Sequence, residues 1–497
     1  MSDPVLSPNG YDFRDIVFGK MEAAKESSNP RLLLEGFLDS FGYIDQLVNG
    51  EIYYVFGQKG SGKSAIASRI ELMARNEGKI AAKTYILEQF DYSGFTGVIP
   101  GNKNDASDRW LRTWEFLIAV KFMELYDSDD VVLRDERINF KGILKGLESS
   151  GLIPSKGFNG IIDKVRSKSF KLTASLAGTG AGVDVTDSSD TTNSKIRKMV
   201  TNVINAMYGV SPSKKHFIII DGLDSSLGKR SAEYDVISSL INATDIINRN
   251  LVENGINSKV IVLCRDDVLD KLSGTNKNKF TIDSGIHLDW YETIPDPHES
   301  NLNKLINLRA KVSLGTDVDV MSEFFPPYMP TGAGNKDTLK YLLENTRHTP
   351  RDFIALMNSI QKVSYQKGAT VDTIKNGLRK YSDNYFVGEI MDGLHGFISD
   401  EDRDRLFRSI QRVGHIVTNT SEIADEMSMS KDEVIPLLEV LYNSGAISNQ
   451  NPKNGQITSK YRNRHSSFDP HQQIRIHNGL FKAFSLSSEH ESDLDDD

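Results

Sequence analysis

The sequence predicts an α/β fold with a mostly parallel sheet, and three of its segments carry that prediction. The apolar run "EIYYVFG", residues 51–57, enters a glycine-rich loop, and residues 63–78 after the loop have helical spacing that ends at Gly78. A second apolar run, "KKHFIIID", ends at Asp221. Continuous apolar runs that alternate with helices are typical of strands buried on both faces of a parallel sheet.

Two later segments extend the predicted sheet, and the pattern then changes. "KVIVLC", residues 259–264, leads to Arg265, and "GIHLDW" covers residues 285–290. From about residue 298 the apolar spacing is helical throughout, which predicts a helical lid. Residues 398–485 combine three helical segments with the predicted hairpin strands "AISNQ" and "QITSKYR", a pattern that indicates a winged helix.

The glycine-rich loop matches the phosphate-binding pattern G-x-x-x-x-G-K-[ST]. In "GQKGSGKS" the glycines let backbone N–H groups approach a polyphosphate at the N-terminus of the following helix. We expect Lys63 to contact the β- and γ-phosphates and Ser64 to bind Mg²⁺. The expected nucleotide-binding residues are Gly57, Gln58, Lys59, Gly60, Ser61, Gly62, Lys63, Ser64 and Ala65.

Length and composition restrict the class of protein. At 497 residues the chain exceeds one ordinary core. The net charge of −9 argues against a chain coated in nucleic acid, and the single Cys264 excludes an internal disulfide framework. Because we find no signal-type N-terminus and no apolar run of about 18 residues, we expect a cytoplasmic protein without a membrane partner.

The same patterns predict how the chain divides into domains. The predicted parts are a helical lead-in at 1–50, a P-loop NTPase core at 51–297 with an insertion at about 85–210, a helical lid at 298–395, a winged-helix-like domain at 396–486 and an acidic disordered tail at 487–497.

Two aspartates after the second predicted strand are candidates for the chemistry. We expect Asp221 to hold the same Mg²⁺ through water, because its strand is predicted to lie next to the loop strand. Asp224 could orient or deprotonate the attacking water, or it could form a turn in "DGLD".

Two arginines are candidates for contact with the γ-phosphate. Arg265 follows the third predicted strand and could neutralise charge there, or it could pair with one of the two aspartates that follow it. In "HTPRD", residues 348–352, Thr349 can cap a helix that has proline at its first position. That helix would present Arg351 to the phosphates, and the alternative is a well-capped helix with a surface arginine.

Two other motif matches are interpreted as chance. "NKND", residues 102–105, fits a guanine-reading pattern but precedes Asp221. GTPases have the reverse order, which favours ATP as the nucleotide. "LSGTN", residues 272–276, resembles the signature of transporter-type ATPases but follows Asp221.

The winged-helix candidate has two interpretations. Its third helix carries Lys431 among acidic residues, which is a poor surface for the major groove of DNA. Residues 453–482 are basic and could contact a nucleic-acid backbone, whereas protein docking is the alternative. The basic side chains are those of Lys453, Lys460, Arg462, Arg464, Arg475 and Lys482.

Together these motifs resemble bacterial signalling-type P-loop ATPases on the STAND and origin-recognition-like side of the AAA+ group. The resemblance is carried by "GQKGSGKS", "FIIIDGLDSS", "VIVLCRDD", "HLDW", "HTPRD" and "IRIHNGLFKAF". It implies that Asp221 is the Walker B aspartate, that Arg265 ends the sensor strand and that Arg351 is the sensor of the lid. Gly222 and Ser225 stand where related proteins commonly have glutamate, so slow turnover is expected.

The resemblance also implies a function, with two alternatives. An ATP-binding switch with slow hydrolysis would change the orientation of its lid and winged helix, and many relatives look like parts of anti-phage defence. Its expected partner is a second copy of the chain or a separate effector protein. The alternatives are a DNA-binding ATPase of the loader or initiator kind, and a kinase or transferase with substrate sites in residues 85–210.

Overall fold

The computed structural model describes residues 10–26, 30–87, 90–99, 106–134, 139–167, 192–223, 231–272, 277–332, 334–365 and 367–486. The chain divides into two compact units, and each is described by itself. The helical unit comprises Met1–Phe41, Gln58–Ala65 and Leu288–Asp497, and the sheet unit comprises Gly42–Gly57 and Ile66–His287.

The sheet unit is built on five parallel strands. The strands of this unit are β1 Tyr54–Gly57, β2 Ile80–Ile86, β3 Val131–Leu133, β4 Val210–Pro212, β5 Lys215–Asp221, β6 Ser258–Arg265 and β7 Gly285–His287. The main sheet has the order β2-β5-β6-β1-β7 with parallel neighbours, while β3 and β4 form an antiparallel pair. The predicted α/β fold with a parallel sheet is therefore confirmed.

The strand that ends at Asp221 lies one place further from the loop strand than predicted. β5 pairs with β2 and β6, whereas β1 pairs with β6 and β7, so β6 separates the two. The prediction of adjacency is wrong because β5 and β6 are equally apolar and buried, and nothing in their patterns distinguishes their neighbours. Parallel strands still bring Gly57, Asp221 and Arg265 to one edge of the sheet.

Long helices complete the sheet unit. Its helices are Tyr43–Asn49, Lys63–Glu77, which begins in the helical unit, Tyr92–Phe95, Ala106–Asp127, Phe140–Ser149, Gly157–Arg166, Thr192–Tyr208, Ser231–Glu253, Asp266–Lys271 and Lys277–Asp283. Trp114 on Ala106–Asp127 is fully buried, and its Nε1 donates a hydrogen bond to the carbonyl of Val236. This places the aromatic face of that helix in the core.

The helical unit contains the predicted lid region and also the N-terminal segment. Its helices before residue 400 are Ala23–Glu26, Pro30–Leu34, Asn301–Leu314, Val320–Phe324, Thr338–Leu343, Pro350–Val363, Val371–Tyr381 and Val387–Leu394, with 3-10 turns at Phe13–Asp15 and Pro297–Glu299. A π-helical turn, Ser382–Phe386, joins the last two helices. The hairpin of β8 Tyr328–Thr331 and β9 Gly334–Asp337 was not predicted.

The N-terminal segment differs from the predicted lead-in to the sheet. The ring of Phe13 packs against Phe324 and Phe325, and Arg309 forms a buried ion pair with Glu26 at 2.8 Å. Phe13, Ile16 and Phe18 therefore belong to the apolar core of the helical unit, and the division between the units falls at Phe41, so the predicted boundary at residue 50 does not match the packing. The helical spacing of this segment indicates that the segment has an apolar face, but it does not indicate which part of the chain packs against that face.

The C-terminal part of the helical unit has three helices and a small antiparallel sheet. The helices are Asp400–Val413, Thr420–Met427 and Lys431–Ser444, and a further helix, Asn478–Phe484, follows the sheet. The strands are β10 Val417–Thr418, β11 Ile447–Gln450, β12 Ile457–Thr458 and β13 Gln473–Ile476, in the order β10-β13-β11-β12. β11 and β12 pair at the predicted hairpin, whereas β13 was not predicted.

Several sequence predictions fall outside the described residues. They are the acidic tail 487–497, the "NKND" match and Asp224. Within the ranges given above, no helix combines the length and the apolarity that crossing a membrane requires.

Candidate functional site

The glycine-rich loop between β1 and the helix Lys63–Glu77 has a backbone that only glycine accommodates easily. Gly60 and Gly62 have φ angles of 86° and 103°, in the left-handed region. A Cβ atom on Gly62 would meet nothing within 4 Å, so this position borders open space. A Cβ atom on Gly60 would instead lie 3.1 Å from Cβ of Arg351 and 3.2 Å from Oγ1 of Thr349.

Polar groups of the loop face inward. Lys63 is buried and its Nζ donates a hydrogen bond to the carbonyl of Gln58 at 3.0 Å, so its charge lies over the loop backbone. The Oγ of Ser61 is buried and has no hydrogen-bond partner among the described residues, while the carbonyl of Ser61 accepts a bond from Nε1 of Trp290 at 2.8 Å. A buried hydroxyl without a partner is costly, so this group favours a polar ligand at the loop.

The helix Pro350–Val363 begins against the loop. Thr349 is its N-cap, whose Oγ1 accepts a hydrogen bond from the amide of Asp352 at 3.1 Å, and Pro350 is its first residue. The predicted cap in "HTPRD" is therefore confirmed. The amide of Arg351 donates to the carbonyl of Gly60 at 3.3 Å, and Nε2 of Gln58 donates to the carbonyl of Arg347 at 3.3 Å.

A buried ion pair holds this helix start in place. Nε and Nη2 of Arg347 donate to the two oxygens of Asp352 at 2.8 Å each, and the hydroxyl of Tyr385 donates to Oδ1 of Asp352 at 2.9 Å. Burial by itself would raise the pKa of Asp352, but the charge and hydrogen bonds of Arg347 outweigh it and lower the pKa to about 2. The carboxylate therefore stays ionised in the core.

The predicted sensor residue Arg351 pairs with a carboxylate that the sequence reasoning missed. Oε2 of Glu389 lies 3.5 Å from Nη1 of Arg351 and 3.2 Å from Nζ of Lys59, the third residue of the loop. No motif marks Glu389, because it comes from a helix that reaches the loop only in the folded chain.

The sheet unit holds the other predicted site residues. Gly57 and Arg265 are opposite each other in the pairing of β1 with β6, and Arg265 forms an ion pair with Asp267 at 2.5 Å. This pairing is one of the two alternatives that the sequence left open. Asp221 ends β5, and its Oδ1 accepts a hydrogen bond from the amide of Gly222 at 2.8 Å.

An aromatic cluster next to the helix start was also missed. The ring of His348 makes an edge contact with Tyr291, with centroids 4.9 Å apart, and stacks on Tyr461 at 6.0 Å. The guanidinium of Arg462 lies 5.5 Å from the centroid of Tyr291. Burial, together with the nearby charge of Arg462, lowers the pKa of His348 to about 3.

The same cluster changes the interpretation of the basic segment 453–482. Arg462 is directed onto aromatic rings, Nη1 of Arg464 pairs with Asp289 at 2.5 Å, and Nζ of Lys482 lies 3.3 Å from the hydroxyl of Tyr341. Three of the six predicted basic side chains thus make contacts inside the helical unit. Fewer basic side chains therefore remain to form a continuous surface that could bind a nucleic-acid backbone.

Comparison with known proteins gives one family match and several structural likenesses. A family model described as the FunZ-associated C-terminal helical domain matches residues 300–387, a range that includes Arg351. None of the curated proteins is significantly similar to this chain.

Three of the similar solved structures illustrate the level of likeness. A point variant of RuvB from Thermotoga maritima has 12% identity and a TM-score of 0.30, with 89% of this chain and 93% of RuvB covered. Orc1 of Aeropyrum pernix in complex with DNA has 10% identity, a TM-score of 0.32 and coverage of 97% and 95%. Cdc6p of Pyrobaculum aerophilum has 12% identity, a TM-score of 0.28 and coverage of 93% of both chains. At these values the function has to be argued from the residues of this chain.

The predicted Mg²⁺ ligands are chemically suitable for that ion. The hydroxyl of Ser64 and the carboxylate of Asp221 are hard oxygen donors, which Mg²⁺ prefers. Among the described residues no group of three or more His, Cys, Asp or Glu side chains could hold a metal by itself.

Proposed function

We propose that this protein binds ATP with Mg²⁺ at the glycine-rich loop and hydrolyses it slowly, and that the nucleotide controls the position of the helix Pro350–Val363. The observation that supports this most directly is the hydrogen bond from the amide of Arg351 to the carbonyl of Gly60 at 3.3 Å. A ligand that reshapes the loop at Gly60 would act directly on the first turn of that helix.

Each site residue has a defined role in this proposal. The loop amides and Lys63 bind and orient the phosphates, and the unpartnered Oγ of Ser61 supplies a further polar contact. Ser64 and Asp221 hold Mg²⁺, which when bound neutralises charge on the β- and γ-phosphates. Arg351 and Arg265 stabilise charge that develops on the γ-phosphate.

The strand order supports this proposal. β6 lies between the loop strand β1 and β5, which ends at Asp221, and the last residue of β6 is the predicted sensor Arg265. The parallel strands therefore bring Gly57, Asp221 and Arg265 to one edge of the sheet.

The backbone after Asp221 supports the proposal of slow turnover. Gly222, which occupies the position of the usual glutamate, has a φ of 77°. Glutamate in this left-handed conformation would be strained, so the position is suited to glycine and not to an acidic base. Asp224 is then the proposed residue for orienting the attacking water.

The C-terminal part is proposed to bind protein. Because Arg462, Arg464 and Lys482 are engaged within the helical unit, DNA binding through 453–482 is the weaker alternative. A second copy of this chain or a separate effector would recognise the nucleotide-dependent arrangement. An anti-phage role extends this proposal by resemblance alone.

One experiment tests the proposed function. ATP and ADP binding, ATP hydrolysis and molecular mass in solution are measured for the wild type and for Lys63→Ala. We expect the wild type to bind and slowly hydrolyse ATP, and the variant to bind ATP much more weakly and to lose hydrolysis. Equal ATP affinity in the two proteins would refute the site, and Mg²⁺-independent binding with no hydrolysis would refute the ATPase.

A further inference from the structure

One carboxylate in the helical unit lies among three cations. Oε2 of Glu389 is 3.2 Å from Nζ of Lys59, 3.5 Å from Nη1 of Arg351 and 3.9 Å from Nη2 of Arg347. The atom is buried and makes no hydrogen bond of standard geometry among the described residues. Its interactions are therefore mainly electrostatic.

The charge of Glu389 is balanced chiefly by Lys59 and Arg351. Arg347 is already neutralised by its two hydrogen bonds to Asp352. The side chains of Glu389, Lys59 and Arg351 are 18%, 22% and 26% exposed, so water screens them less than it screens surface pairs.

Lys59 and Arg351 are also both attached to the glycine-rich loop. Lys59 lies between Gln58 and Gly60 in the chain, and the amide of Arg351 is bonded to the carbonyl of Gly60. Phosphates that enter the loop bring negative charge close to both residues. An anion already beside them opposes that arrival by like-charge repulsion and by occupying the same donors.

We propose that Glu389 competes with the phosphates of a nucleotide for Lys59 and Arg351 and thereby positions Arg351. This inference rests on the proposed nucleotide site. Nucleotide binding would exchange the ion pairs of Glu389 for ion pairs with phosphate, so the helix Val387–Leu394 loses its attachment to the loop. Glu389 is thus a positioning residue. It lowers nucleotide affinity, and its release links nucleotide binding to the helix Val387–Leu394.

The segment before Glu389 is connected to the C-terminal part of the unit. The π-helical turn Ser382–Phe386 precedes it, and the ring of Phe386 stacks on His477 with centroids 4.5 Å apart. Such turns frequently mark functional positions in helices. Release of Glu389 would therefore act on the contact between this turn and the residue that follows β13.

The test compares the ATP and ADP affinities of five proteins: the wild type, Glu389→Gln, Glu401→Gln, Arg351→Ala and the double variant Arg351→Ala/Glu389→Gln. Glu389→Gln keeps the shape of the side chain but removes its charge, and we expect it to bind both nucleotides about two- to fivefold more tightly, the effect of removing partly exposed ion pairs. Glu401→Gln on the helix Asp400–Val413 makes the same change in net charge at an exposed position and should leave the affinities unchanged. In Arg351→Ala, adding Glu389→Gln should give a smaller gain than in the wild type.

The outcomes separate this inference from the proposed function. Affinity that is unchanged or weaker in a folded Glu389→Gln protein overturns the competition, even when Lys63→Ala confirms the site. A wild type that binds no nucleotide overturns both. If Glu389→Gln unfolds, Glu389→Asp tests the same idea, because the shorter side chain withdraws the carboxylate and should also raise affinity.

Discussion

The amide of Arg351 donates a hydrogen bond to the carbonyl of Gly60 at 3.3 Å, and this bond joins the first turn of the helix Pro350–Val363 to the middle of the glycine-rich loop. It makes the loop and the helix start a single structural element within the helical unit. The predictions below test that element, its charges and its titration.

The first prediction concerns the loop lysine. Lys63→Ala removes the cation that lies over the carbonyl of Gln58, so we expect ATP affinity to fall by about 10- to 100-fold, as loss of a charged hydrogen bond implies. Calorimetric titration with ATP measures the change. Lys340→Ala, at an exposed position, serves as the control and should leave the affinity unaltered.

The second prediction separates binding from turnover. Arg351→Ala should bind ATP within a few-fold of the wild type but hydrolyse it roughly 100- to 1,000-fold more slowly, because loss of a donor to developing charge affects mainly the transition state. Steady-state hydrolysis gives both parameters. Arg412→Ala, an exposed arginine of the helix Asp400–Val413, is the matched control, and equal rates in the two variants would exclude the sensor role.

The third prediction compares two glycines of the loop. Both Gly60→Ala and Gly62→Ala impose a positive φ on alanine, which costs about 1 kcal/mol or more. Only the Cβ at Gly60 also meets Arg351 and Thr349, at 3.1 and 3.2 Å. We therefore expect Gly60→Ala to lower the free energy of unfolding further, measured by urea denaturation without nucleotide. Similar losses in both variants would contradict close packing of the helix start on the loop.

The fourth prediction concerns the buried pair of Arg347 and Asp352. Asp352→Asn leaves the guanidinium without its counter-charge and should lower the free energy of unfolding by about 3–5 kcal/mol. Tyr385→Phe removes only the hydroxyl that donates to Asp352, with an expected loss of about 1 kcal/mol. Thermal unfolding of both variants tests this order, which would be reversed if Tyr385 and not Arg347 held the carboxylate.

The fifth prediction is a loss of stability in mild acid. Burial lowers the pKa values of His348 and His477 from 6.5 to about 3, so below pH 6.5 the unfolded chain binds protons that the folded chain does not. The two neutral rings contribute their full share to the free energy of unfolding above pH 6.5, and this contribution declines as the pH falls towards 3. The expected slope approaches about 1.4 kcal/mol per pH unit for each histidine.

Urea denaturation between pH 7.5 and pH 4.5 measures this slope without interference from Asp352, whose pKa falls from 3.8 to about 2 and whose effect therefore begins lower. A stability of the helical unit that is constant over this range would show that the two rings are protonated in the fold.

Local patterns of the sequence predicted the parts of the site that lie close together in the chain. The cap at Thr349 and the loop before Lys63 depend on a few consecutive residues and their backbone angles, and both are present. The neighbour of the Asp221 strand and the partner of Arg351 were not predictable in this way. Each depends on segments far apart in sequence that meet only through packing.

The basic segment 453–482 shows the same limit for charges. A count of lysines and arginines predicts a surface, but Arg462 is directed onto the ring of Tyr291 and Arg464 onto Asp289. Whether a cation faces solvent or an internal partner is decided by the residues that folding places beside it.

The sequence by itself determined the apolar strands, the glycine loop with Lys63 and the capped helix start, because periodicity, glycine backbone freedom and capping act over a few residues. The tertiary structure alone decided that β6 separates β1 from β5 and that Glu389 reaches Lys59 and Arg351. Strand order and ion pairing between distant segments depend on which buried surfaces match in three dimensions, and a one-dimensional pattern carries no record of that match.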